Sequence, residues 1–136
     1  MPTGENTPSA VRVVNPAGLK QQSYYNHAVI RTGTPVFLTG QVAWDEDGNV
    51  VGAGDIARQV AQTYRNLGLL LAGMGAGPGN VVKLTTYATD RAFIPALHLG
   101  RTAFFAGHAL PASTFILVAG LADPDLMIEI EAIAVI

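Results

Sequence analysis

The stretch "IEIEAIAVI", residues 128 to 136, alternates as a single β-strand does. Successive side chains of a strand point to opposite faces. Ile128, Ile130, Ala132, Ala134 and Ile136 therefore share one face, and Glu129, Glu131, Ile133 and Val135 the other. The first face is wholly apolar and calls for a layer of helix over it. The second begins with two carboxylates and then turns apolar. It fits a partly covered surface with a polar mouth, and equally a half-strand open to solvent.

Helices to cover the apolar face are found upstream. Ile56, Val60, Tyr64, Leu67, Leu71 and Met74 recur at three- and four-residue spacing, an amphipathic stripe behind Asp55 as N-cap. The run "GMGAGPGN" stops that helix, because glycine accepts the left-handed C-terminal conformation and Pro78 blocks continuation. A second helix spans Phe93 to Phe105, with Leu97, Arg101, Phe104 and Phe105 along it and Pro95 in its first turn. Further strands are predicted at Val11–Pro16, Ala28–Arg31, Val36–Val42, Val81–Thr89 and from Ser113 onward, with a hairpin turn at Asp47-Gly48. The order ββ(β)αβαββ describes an α+β domain: one sheet with two helices on one face. Residues 1–9 read as a flexible tail and 10–136 as a single domain.

Composition narrows the classes of function. Eight basic and ten acidic side chains give a net charge of -2, and no base follows Arg101. There is no basic stripe for nucleic acid. No apolar run approaches the roughly 18 residues of a membrane span, and the start lacks the pattern of a signal peptide. There is no cysteine, which fits a cytoplasmic setting and removes disulfides, thiolate metal sites and a Cys nucleophile. Charged residues make up only 13% of the chain while 49% are hydrophobic. Soluble domains average about 25% charged, so part of the apolar surface is expected to be buried against other copies.

Several apparent motifs have simpler explanations. His27, His98 and His108 show no metal-ligand spacing, and no metal is expected. "DEDGN" at 45 to 49 has the wrong acid spacing for a calcium loop. The glycines of "GMGAGPG" follow a helix and precede a strand, the reverse of a dinucleotide fingerprint. Ser113 sits in no nucleophile elbow.

Together the motifs resemble the YjgF-type Rid family, the reactive intermediate deaminases. The matching pieces are "NPAGL" at Asn15–Leu19, "YNHAV" at Tyr25–Val29, "FLTGQV" at Phe37–Val42, "VVKLTTYATD" at Val81–Asp90, "AFF" at Ala103–Phe105, "LPAS" at Leu110–Ser113 and "IEIEAIA" at Ile128–Ala134. The resemblance implies a chorismate-mutase-like α+β fold, a homotrimer with small-molecule pockets between subunits, and hydrolysis of enamines and imines to ketoacids and ammonia without a cofactor.

By position, Tyr25 matches the family's pocket tyrosine, and Thr39 and Gly40 the loop residues beside it. Lys83 falls on the strand lysine. His98 falls where many members have Asn, and Phe115 where a Cys often offers its backbone. Glu129 matches the carboxylate that orients or activates water. The departure is Ser113, which stands where active deaminases carry Arg. A guanidinium clamps a carboxylate bidentately, and a hydroxyl offers one uncharged donor. The resemblance therefore implies a hydrolase of C=N bonds whose substrate is not a simple 2-imino acid. The alternative is a trimer that binds a small ligand without turnover. Arg31, Lys83 and Arg101 are the candidates to replace the lost charge. His98 is either a pocket residue or a helix residue packed on the cleft wall.

Overall fold

The computed structural model describes residues 11–136. The expected tail at 1–9 lies outside the described residues. Six strands, β1 (Arg12–Val14), β2 (Ala28–Ile30), β3 (Pro35–Gln41), β4 (Val81–Ala88), β5 (Ala112–Leu117) and β6 (Ile128–Val135), combine with two helices, α1 (Ile56–Ala72) and α2 (Ile94–Phe104). The sheet runs β3-β6-β4-β5. β6 is antiparallel to both neighbours, and β4 and β5 are parallel. Thus β3-α1-β4 and β4-α2-β5 are two crossover units, and the last strand is wedged into the gap the first one leaves.

The expected α+β layer pair is present. The single-sheet expectation holds for the four strands that carry the helices. β1 and β2 instead pair with each other as a separate antiparallel ribbon, Arg12 opposite Ile30. Each has only three residues. Pro16, which has no N–H to donate, follows just after the first.

Alternation along β6 is as the sequence predicts as far as Ala134; Val135 on the other face is also buried, and Ile136 lies past the end of the strand and is exposed, not under the helices. Ile128, Ile130, Ala132 and Ala134 are buried and pack with Leu84, Val60, Tyr64, Leu67, Leu71 and Leu97 in the core between sheet and helices. Burying an aliphatic side chain of this kind contributes roughly 1.5–3 kcal/mol. The Asp55 carboxylate accepts the Arg58 N–H and caps α1. The helix ends in a left-handed Gly75, with the Ala76 N–H returning to the Leu71 carbonyl at 2.9 Å. The hairpin turn also forms: the Asp45 carboxylate accepts the Asp47 and Asn49 N–H groups, which holds its carboxyl below the usual carboxylate range.

The two helices cross where α2 has no side chain. A Cβ on Gly100 would run into the Cγ1 methyl of Val60 and stand 3.3 Å from the Tyr64 ring. Val60 and Tyr64 are both buried and cannot swing aside. Gly100→Val is expected to lower unfolding free energy by about 1–3 kcal/mol through overpacking, read as a reduced urea midpoint.

Candidate functional site

Among the described residues, three grooves bear on the site. One, about 750 Å³, is open and runs along the β3 edge past Thr39, Gly40 and Trp44. An apolar groove of about 600 Å³ lies between α1 and α2. The third, about 270 Å³, is where the candidate residues gather. Its walls include Tyr24, Tyr25, His98, Arg101, Ser113 and Phe115. Ile94 and Leu97 of α2 add apolar surface.

Each wall of this cavity is placed by a distinct element. Ser113 and Phe115 come from the helix-facing side of β5, one of the sheet's two edge strands. His98 and Arg101 lie three residues apart on α2, so they share a face. Tyr24 and Tyr25 come from the long loop between β1 and β2, which would be mobile if left untied. It is tied at several points. The Asn26 side chain donates to the Leu110 carbonyl at 2.7 Å, and the Asn26 N–H donates to the Pro111 carbonyl at 3.2 Å. The Asn15 side chain donates to the Asn26 side-chain oxygen at 2.9 Å and accepts the His27 N–H at 2.8 Å. The paired asparagines thus hold the tyrosine loop against the approach to Ser113. They are the Asn of "NPAGL" and the Asn of "YNHAV", and their joint role was not visible in the sequence.

Tyr24, which sequence reasoning passed over for its neighbour, stacks on His98 with ring centroids 3.8 Å apart and planes 18° from parallel. Burial pushes the His98 imidazole below its ordinary value, and the Arg101 guanidinium pushes it the same way. His98 is therefore a cavity residue and at the same time a packed one.

Thr39, Gly40, Lys83 and Glu129 are not in this cavity. Glu129 points away from the helices, because its neighbours Ile128 and Ile130 fill the core. Across the ladder it faces Tyr87, and Glu131 faces Thr85. The Tyr87 hydroxyl donates to the Glu131 carboxylate, and that bond raises the Tyr87 pKa. Between Leu38, opposite Ala132, and Gln41, opposite Ile130, the register slips by one residue. Thr39 and Gly40 thus share one partner position in a β-bulge. The bulge brings Gly40 against Glu129 so closely that a Cβ there would strike the carboxylate. Lys83 donates to the Thr114 hydroxyl at 2.7 Å, on the face of β5 opposite to Ser113.

Of the three candidates for the lost charge, Lys83 is held by Thr114 and Arg31 donates to the Gly79 carbonyl at 2.6 Å. Arg101 alone of the three lines the cavity. Among the described residues, no group of three or more His, Cys, Asp or Glu side chains is arranged to hold a metal ion, and no helix is long and apolar enough to cross a membrane.

Comparison with known proteins gives a consistent result. A family model for endoribonuclease L-PSP matches residues 17–136. A RutC family protein of Synechocystis is 33% identical over 113 residues, covering 82% of this chain and 85% of that one. A 2-iminobutanoate/2-iminopropanoate deaminase of Salmonella typhimurium is 33% identical over 105 residues, covering 76% of this chain and 80% of its own. Among solved structures, the Rid family protein YyfB of Yersinia pestis, of unknown function, superposes with a TM-score of 0.87 at 37% identity, covering 93% of this chain and 98% of that one.

The shift at His98 sets a sign for pH. A folded-state pKa below the unfolded value means that the unfolded chain binds the proton more readily. The contribution of His98 to stability is present above the ordinary histidine pKa of about 6.5 and is lost as pH falls below it. In an NMR titration His98 is expected to have a midpoint below that ordinary value, and Arg101→Met to move it upward. A midpoint unchanged by that substitution would show that the guanidinium does not act on the imidazole.

Proposed function

The chain belongs to the endoribonuclease L-PSP family, the YjgF/Rid group, and on that premise we propose that it hydrolyses C=N bonds of small imines or enamines other than simple 2-imino acids. The observation that carries the reading is the division of the candidate residues between the two faces of one sheet. Tyr25, His98, Ser113 and Phe115 line the cavity on the helix side of the sheet. Glu129, with Gly40 drawn up against it, lies on the other side. One copy cannot bring both sets to one substrate. Neighbouring copies of the chain can, and the family resemblance gives the number as three.

Two further features support assembly on the face that carries Glu129. Phe37 is 76% exposed there, opposite Ile133 on the next strand, and Ile116 is exposed on β5. The sparse charge of the chain leaves few groups to solvate such a surface. Each pocket of the trimer would then join the tyrosine cavity of one copy to the carboxylate of another.

The chemistry follows from the groups. Glu129 takes a proton from water as the oxygen adds to the carbon of the C=N bond, and returns that proton to the nitrogen. The carbinolamine that forms passes a proton to nitrogen, the C–N bond breaks, and ammonia leaves a carbonyl compound. Tyr25, Thr39 and Ser113 supply hydrogen bonds, and backbone N–H groups near Ser113 and Phe115 stabilise developing negative charge. A non-catalytic ligand-binding trimer is the second reading, and the serine in the arginine's place favours it.

Ammonia release separates the two readings. With 2-aminoacrylate and short 2-imino acids generated in situ, wild type is expected to show negligible turnover. A rate equal to that of an arginine-bearing relative would refute the role given to Ser113. Across a panel of larger imines, the best substrate should lose about 100-fold or more in rate in Glu129→Gln, the scale of a lost general base. If no imine is turned over by wild type or by Ser113→Arg, the binding reading prevails. Light scattering is expected to give the mass of three chains, and a monomer would remove the shared pocket.

A further inference from the structure

Arg101 is 5% exposed and lines the cavity that holds Ser113. Its Nη1 donates to the Tyr24 carbonyl at 3.0 Å. Its buried Nε has no acceptor at all. The guanidinium also acts on the Tyr64 phenol, which burial pushes up and Arg101 pulls back, and on the stacked His98. Among the described residues no carboxylate lines the cavity. A guanidinium withdrawn from water with one neutral acceptor is a costly arrangement, and an anion on it recovers much of that cost.

We propose that Arg101 is the anion anchor of this pocket, and that the ligand is a small organic acid whose carboxylate meets the guanidinium while its apolar body rests on Tyr25, Phe115 and Leu97. The positive charge that Ser113 lacks enters the same cavity from α2 instead of from β5. This rests on the proposed function only for the choice of cavity.

The relocation also defines specificity. A carboxylate held from the helix leaves Ser113 free to meet a second polar group of the ligand. The volume of about 270 Å³ admits an acid larger than a three- or four-carbon one. The aromatic and aliphatic walls favour an acid with an aryl or branched substituent. Such an acid keeps its reacting group at a distance from the carboxylate that a short 2-imino acid cannot match.

Phenylacetate and its neutral amide phenylacetamide have nearly the same shape and differ in charge, so their comparison isolates the anchor. By NMR titration of the wild-type protein, phenylacetate is expected to bind about tenfold or more tightly than phenylacetamide and to shift the Arg101 Nε–H resonance, while the amide leaves that resonance in place. Arg101→Met should abolish the preference for the acid, with fold confirmed by the dispersion of its amide spectrum. Should Arg101→Met fail to fold, the Nε–H response of wild type decides. Equal affinity for acid and amide, no binding of either at millimolar concentration, or an Arg101 Nε–H unmoved by phenylacetate would each overturn the proposal. The readout is binding alone, so a protein that binds phenylacetate through Arg101 but turns over no imine refutes the hydrolase reading and leaves the anchor standing.

Discussion

The pairing of β6 with β3 on one side and β4 on the other is the constraint on which the rest depends. β3 and β4 are joined through α1, and a strand from the far end of the chain separates them. Ile128, Ile130, Ala132 and Ala134 of β6 lie under the helices, so the residues between them are forced onto the opposite face. A one-residue slip would exchange the two sets and bury Glu129 and Glu131 in the core. The bulge in β3 works within this limit. It lengthens the partner strand by one residue at the level of the carboxylates, and it leaves the apolar register on both sides intact.

The cavity obeys a different logic. Its walls come from a loop, a helix and the edge strand β5, and hydrogen bonds to backbone carbonyls tie them to one another. Asn26 reaches the carbonyl before Pro111, and Arg101 reaches the carbonyl of Tyr24. One guanidinium thereby supports the loop and puts a positive charge beside it. The stacking of Tyr24 on His98 closes the same corner with a second aromatic ring.

The periodic features were legible from the sequence because they answer to burial alone. The alternation of Ile128 to Ile136, the Ile56 to Leu71 stripe and the Asp55 cap need no knowledge of partners. The family's residues could also be placed one by one. What could not be read was which of them meet. Glu129's face follows from its own strand, but Ser113's face depends on where β5 docks beside β4 and on which side α2 covers. The β1–β2 ribbon was misjudged as part of the sheet, since three residues of strand pattern do not say what they pair with. Arg101 was one of three candidates for the pocket's positive charge, and its place in a helical stripe with Leu97, Phe104 and Phe105, where a long side chain reads as packing, gave no ground for choosing it over Arg31 and Lys83. Asn15 and Asn26 stand in two separate motifs, and nothing in either says that their side chains bond to each other.

The bond from Asn26 to the Leu110 carbonyl spans 84 positions of the chain. Contacts of such separation require the intervening loop to be closed first, and the intervening chain here holds β2, β3, α1, β4 and α2. The cavity therefore has no existence in a half-formed molecule. A ligand seated in it draws only on the completed fold, so its free energy of binding is added in full to the global stability. Occupancy of the pocket would act as an inspection of the whole chain, and the resistance of the protein to unfolding would rise and fall with the concentration of the acid it holds.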